Sequence, residues 1–372
     1  MAMRFRLLIL MLCFAFSSFA QEVYLFIGTY TGTGSKGIYV YRFNTNTGKA
    51  TWVSNTDSLI NPSFLTLSTN GKYLYSVTES AREYPGKVSA FSFDKTTGKL
   101  TFLNARTSGG DNPCYVSVTK NGKWVAVGNY TGGNLSIFRT NTDGSLKTSG
   151  QFIQHTGKGP NVDRQEKPHV HSVVFSPDEK VLFVSDLGID KIMTYKFSPN
   201  TSKPLSPAAK PFVTAAAGSG PRHLTFHPKL PYGYLMQEMA GNVIAYKYAN
   251  GTLTETQSIA AHPADFKGAI SSADIHISPD GKFLYASNRG DENTIAIFSI
   301  NQDDGRLTLV GTQSTLGTTP RNFAIDPTGT FLLAANQTSG NIVIFKRDKE
   351  TGLLSPTGDE INISKPVCLK MF

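Results

Sequence analysis

Outside its first twenty residues, the chain has no stretch that repeats apolar residues at the 3.6-residue spacing of an amphipathic helix. Helices should therefore be scarce, and a core built from helices is excluded. Runs of Lys or Arg are also missing, although the formal net charge is +9. The basic residues are dispersed, and many follow a turn glycine, as at Gly48-Lys49, Gly71-Lys72, Gly98-Lys99 and Gly122-Lys123. That pattern argues against a nucleic-acid partner and is compatible with small anionic ligands. No low-complexity linker divides the 372 residues, so a single domain is expected. No Gly-x-Ser-x-Gly elbow occurs, so nothing argues for a nucleophilic serine of that kind.

Cysteine is nearly absent. Cys13 lies in an N-terminal apolar run, which leaves Cys114 and Cys368. Counted from the repeat openings given below, these two fall one and two residues in, on opposite strand faces and in units that are not neighbours. A disulfide is not expected between them, and two small buried hydrophobes are.

The first twenty residues read as a leader. Arg4 and Arg6 precede an apolar run from Leu7 to Phe16, and Ser18-Phe19-Ala20 has the small-x-small form of a cleavage site. Cleavage would leave residues 21–372, starting at Gln21, with 34 basic against 27 acidic residues. Gln21 and Glu22 offer no lipid attachment point, and the apolar run is short for a membrane span. An exported protein follows, periplasmic or secreted, with no membrane anchor after cleavage.

What the chain does have is a repeat. A unit of about fifty residues opens with a short apolar strand, turns nine residues later and continues into a second apolar strand. The openings are Pro62, Pro113, Val170, Pro221, Ser272, Pro320 and Pro366, and the turns are Gly71, Gly122, Glu179, Leu230, Gly281 and Gly329. Between Ser272 and Val310 one unit reads as four β-rich runs bounded by turn residues. Four antiparallel strands per unit make one propeller blade. Residues 23–54 supply three strands without an opening strand, and Pro366 to Phe372 form an opening strand with nothing after it. Joining the two ends gives a seventh blade and removes exposed sheet edges. The expected fold is all-β, a single seven-bladed propeller, with a monomer as the default for a closed ring.

In such a ring the start of each opening strand and the loop after each second strand face one mouth of the central channel. Seven residues past the turns lie Thr29, Thr78, Asn129, Asp186, Gln237, Asn288 and Asn336. The next positions hold Tyr30, Glu79, Tyr130, Leu187, Glu238, Arg289 and Gln337. Asn and Asp suit turns, but Glu79, Glu238 and Arg289 do not form turns and stand at matching places. The openings add His169, His171, Arg222, His223, Asp274, His276 and Arg321. Period two puts His169 with His171, and Asp274 with His276, on shared faces. The longest irregular stretch, Thr156 to Lys167, is polar; in a compact fold such insertions are often functional.

Taken in order, Pro168-His169-Val170-His171, Ser185-Asp186-Leu187-Gly188-Ile189-Asp190, Gly220-Pro221-Arg222-His223 and the run from Asp274 to Gly290 form a specific set. On these motifs the chain resembles the bacterial lactonase propeller family. That family includes propeller-type 6-phosphogluconolactonases and is related to the fungal carboxymuconate-lactonizing enzyme. The family usually has Asn-Glu-Leu where this chain has Gln237-Glu238-Met239, which keeps the carboxylate. The resemblance implies a catalytic set of Glu238, His171, His169, Arg222 and Arg289. His276, Asp186, Arg321, Asn288 and Asn336 are expected around the substrate. It also implies no cofactor and no metal, although Glu79, Asp186, Glu238, Asn129, Asn288 and Asn336 are a set that could serve calcium.

The chemistry is consistent with those residue types. Lactone hydrolysis passes through an oxyanion, which arginines can stabilise, and needs a base for water, which Glu238 or a neutral His can supply. The expected activity is hydrolysis of a sugar lactone, 6-phosphogluconolactonase-like, with an unphosphorylated aldonolactone favoured by export. A carboxymuconate-type cycloisomerase and a non-catalytic binding propeller are the alternatives. Plainer roles also exist. Arg222 and Glu238 could brace neighbouring blades, Arg289 could pair with Asp291, and the histidines could cap strands or pack.

Overall fold

A computed structural model describes residues 22–32, 34–81 and 84–372. The expected leader, residues 1–20, lies outside them. Seven four-stranded antiparallel sheets form the ring, each ordered from the channel outward. In blade four these strands are Pro221–Phe226, Tyr232–Gln237, Asn242–Ala249 and Thr252–Ala260. The second strands are covered on both faces by neighbouring blades and so read as continuous buried runs, as in Tyr232–Gln237 and Phe283–Asn288. The outermost strands alternate because one face meets water, as Thr252–Ala260 does. Among the described residues the only helical element is one 3-10 turn, Leu187–Ile189.

Blades are tied to each other by tyrosines from the second strands. Tyr75 Oη donates to Gly144 O at 3.0 Å, Tyr234 Oη to Gly305 O at 2.9 Å and Tyr285 Oη to Gly352 O at 2.7 Å. Each acceptor lies in the outer turn of the next blade, so an otherwise costly buried hydroxyl is satisfied across the seam. The turns predicted nine residues past the openings are tight. Gly281 has φ +81°, and Glu179 adopts φ +52° at the equivalent place.

The ring closes as expected. Pro366–Met371 pairs with Glu22–Thr29, with Leu25 opposite Met371 and Ile27 opposite Leu369. Cys114 and Cys368 are free, buried thiols.

One feature of the innermost strands was not legible in the repeat. The register slips between Pro113 and Tyr115, Val170 and Ser172, Pro221 and His223, and Pro320 and Asn322. Each slip is a β-bulge that drops one residue out of the ladder and re-aims its side chain. The residues so displaced are Cys114, His171, Arg222 and Arg321. Val367 is displaced in the closing strand.

Candidate active site

The displaced residues meet the loop residues that follow the second strands. Glu238, directly after Tyr232–Gln237, lies at the centre. Its Oε2 is 2.8 Å from Arg222 Nε, 3.2 Å from Arg289 Nη2 and 3.6 Å from His171 Nε2. Its Oε1 is 2.6 Å from Arg164 Nη2. The Arg222–Glu238 bridge thus forms within one blade rather than between two. Arg289 turns to Glu238 rather than to Asp291, whose Oδ2 accepts from Ala269 N instead.

The electrostatics follow from this crowding. Burial alone would push the Glu238 carboxyl up, but Arg289, Arg222, His171 and Arg164 outweigh it and hold Glu238 well below the usual carboxylate range. Burial, and then Arg222, holds His171 well below the ordinary histidine value, so its imidazole is neutral at pH 7. Burial lowers Arg289 to about 9 against the pull of Glu238, which leaves it charged at neutral pH.

Tyr130 connects the site to its rim. Its ring stacks on His169 at 4.5 Å and meets His171 edge-on at 5.3 Å. His169 Nδ1 is 3.1 Å from Tyr130 O, and its Nε2 is 3.1 Å from Glu166 Oε2. The two histidines therefore share a neighbour, but the bulge at His171 brings this about, not an unbroken two-residue period.

Arg164 comes from the long 156–167 loop. The loop is anchored by Gln165, which is fully buried and donates Nε2–H to Leu187 O at 2.8 Å. Arg164 also donates to Tyr130 Oη at 3.2 Å, and its side chain stays 44% exposed. Of the three arginines on Glu238 it is the one in contact with bulk water. Loop length and polarity marked the segment, but nothing in the sequence marked this residue.

Arg321 faces the same mouth differently. Its guanidinium lies 5.4 Å from the Tyr30 ring centre, and among the described residues it has no ion pair. Burial would lower its pKa, but Tyr30, Glu79 and Glu238 more than offset that. Glu79 is occupied by the Tyr30 hydroxyl, 2.9 Å from each carboxylate oxygen, and by Ser63 Oγ.

Four of the residues expected around a ligand are placed elsewhere. Asp186, Asn288 and Asn336 are fully buried. Asp186 accepts from His169 N at 2.7 Å and from Gly188 N at 3.1 Å, and is 2.6 Å from His155 Nδ1. Asn288 donates to Ala261 O at 2.7 Å, and Asn336 to Thr315 O at 3.1 Å. These positions end the second strands, inside the blade, where their side chains hold the connections arriving from the preceding blade. His276 sits four residues further along its strand than Ser272, about 13 Å down the channel at strand rise. It bonds Asp274 there instead of meeting Glu238. Among the described residues no group of three or more His, Cys, Asp or Glu side chains is placed to hold a metal ion.

A seven-bladed propeller closed by its two termini, with an arginine-ringed carboxylate at one channel mouth, defines the class. Residues 24–371 match the family described as Lactonase, 7-bladed beta-propeller, and the chain belongs to that family. A Formosa agariphila protein named 6-phosphogluconolactonase is 45% identical over 350 residues, covering 94% of this chain and 99% of that one. A crystal structure from Bacteroides fragilis, provisionally assigned as a 6-phosphogluconolactonase, superposes at TM-score 0.91 with 42% identity, covering 96% of this chain and 99% of that one. The periplasmic gluconolactonase of Pseudomonas aeruginosa superposes at TM-score 0.89 with 34% identity, covering 94% and 99%.

Proposed function

We propose that this protein is a hydrolase that opens sugar lactones at the Glu238 mouth. The observation that carries the reading is the convergence of His171, Arg222, Arg289 and Arg164 on one buried carboxylate. Membership of the lactonase family and the names of the Formosa and Pseudomonas relatives support the same chemistry.

The roles follow from charge and protonation. A water attacking the lactone carbonyl must lose a proton. Neutral His171 can take it, and Glu238, 3.6 Å away, stabilises the imidazolium that results. Glu238 itself is the weaker base, because its cationic neighbours favour the ionised form. As the carbonyl oxygen becomes an oxyanion, Arg289 and Arg222 supply fixed donors that need no reorganisation. The ring C–O bond then breaks, and the proton goes to the departing ring oxygen, giving a hydroxy acid. His169, stacked on Tyr130, packs beside the base. Arg321, with no ion pair among the described residues, anchors an anionic or polar group of the substrate.

The pattern of the first twenty residues and the periplasmic relative support export. Export in turn favours an unphosphorylated aldonolactone over its 6-phosphate.

The test is proton release at near-neutral pH from glucono-δ-lactone and its 6-phosphate, with spontaneous hydrolysis subtracted. Acceleration by the mature chain, reduced about 100-fold or more in Glu238→Gln and Arg289→Ala, is expected. No acceleration on either lactone overturns the reading, and the faster substrate decides the question of phosphorylation.

A further inference from the structure

The channel has a second end, and its chemistry is different. Below Arg222 a cavity of about 320 Å³ opens, near the lower size limit of ligand pockets. Its walls are aromatic: Phe64, Tyr115, Phe175 and Phe226. Phe64 and Tyr115 stack on each other at 4.1 Å.

Five polar side chains also line this cavity: His223, Thr225, Asp274, His276 and Lys370. Lys370 Nζ lies 4.8 Å above the Phe64 ring, and among the described residues it has no ion pair. His276 is half-buried, and its Nε2 is 2.8 Å from Asp274 Oδ2. Asp274 is itself buried and also receives His223 Nδ1 at 2.7 Å and Asn322 Nδ2. A carboxylate held by three N–H donors fixes the His276 tautomer with its proton on Nε2. Nδ1 is then an acceptor, and among the described residues nothing donates to it. The end of the channel thus offers an aromatic slot, one unpaired cation and one oriented acceptor.

We propose that this end is a second binding site, separate from the Glu238 mouth, for a small aromatic carboxylate bearing a hydroxyl group. The ring stacks in the aromatic slot, the carboxylate pairs with Lys370, and the hydroxyl donates to His276 Nδ1.

Titration of the mature chain with 4-hydroxybenzoate, followed by calorimetry and ligand-observed NMR, tests the proposal. Saturable binding is expected, weakened at least tenfold by Lys370→Gln and by His276→Phe. Benzoate should bind more weakly, because it lacks the hydroxyl, and cyclohexanecarboxylate more weakly still. Glu238→Gln should leave binding unchanged, and Lys370→Gln should keep full lactone hydrolysis, which also reports that the variant folds. Absence of saturable binding overturns the proposal. So does binding that survives both substitutions, or binding lost in Glu238→Gln, which would place the ligand at the other mouth.

Discussion

At the scale of the residue, the guanidinium of Arg321 has the clearest consequence. A half-buried cation with no ion pair among the described residues is poised for an anion or a strongly polar group, whereas Arg222 and Arg289 are engaged by Glu238. Arg321→Met should raise KM about tenfold or more while kcat falls less, as measured in steady-state proton-release assays. An equal loss in kcat and kcat/KM would instead put Arg321 in the transition state. His171 makes a second prediction. A free histidine base would lose activity as pH falls through about 6.5. The His171 pKa lies well below that, so its basic form persists into acid. The profile of kcat/KM, corrected for spontaneous hydrolysis, should therefore be flat from about pH 8 to about pH 6. The same scale shows what sequence could and could not reveal. Glu238 and Arg289 were legible because neither is a turn former, yet both stand at turn positions. For Asp186, Asn288 and Asn336 the sequence left two roles open, because a polar residue at a strand end serves a ligand or the scaffold equally well, and their burial and backbone hydrogen bonds are what the structure adds. Arg164 was illegible because an irregular loop carries no period from which to project a side chain.

At the scale of the element, the repeat disclosed strands, turns and closure, since each leaves a pattern at a fixed spacing. The bulges leave none: one extra residue in a six-residue strand is invisible unless its partner strand is known. Yet the bulges deliver His171, Arg222 and Arg321 to the mouth. The turn after Val181–Asp186 supports them from outside. A Cβ on Gly188 would lie 1.9 Å from Lys167 O and 2.7 Å from His169 N. Both contacts are backbone, so the end of the 156–167 loop and the His169 segment would have to move. Gly188→Ala should cost about 1–3 kcal/mol in denaturant unfolding and lower kcat as well, since His171 is two residues from the displaced atoms. Unchanged activity in a destabilised variant would separate the 156–167 loop from the site.

At the scale of the whole molecule, the channel is a file of buried ionisable groups, and this links stability to pH. His223 has its pKa lowered to about 3, first by burial and then by Arg222, from an unfolded value of about 6.5. Between those values the unfolded chain binds a proton that the folded chain refuses, so stability falls as pH drops through this window. His171 acts in the same direction, and Asp274, held well below its ordinary value, adds further loss below about pH 4. Thermal unfolding followed from pH 7 to 4 should show Tm falling steadily, with net proton uptake on unfolding. A Tm independent of pH would mean that the channel histidines titrate alike in the folded and unfolded states.

The ring of bulges has one more consequence. A residue outside the ladder can change without breaking a rung, and Ala273 and Val367 show that the ring accepts small apolar side chains. The mouth is in this respect a six-pin lock. Each pin can be recut alone while the barrel keeps its shape, so relatives can diverge in what they admit without first surrendering the stability that lets them fold.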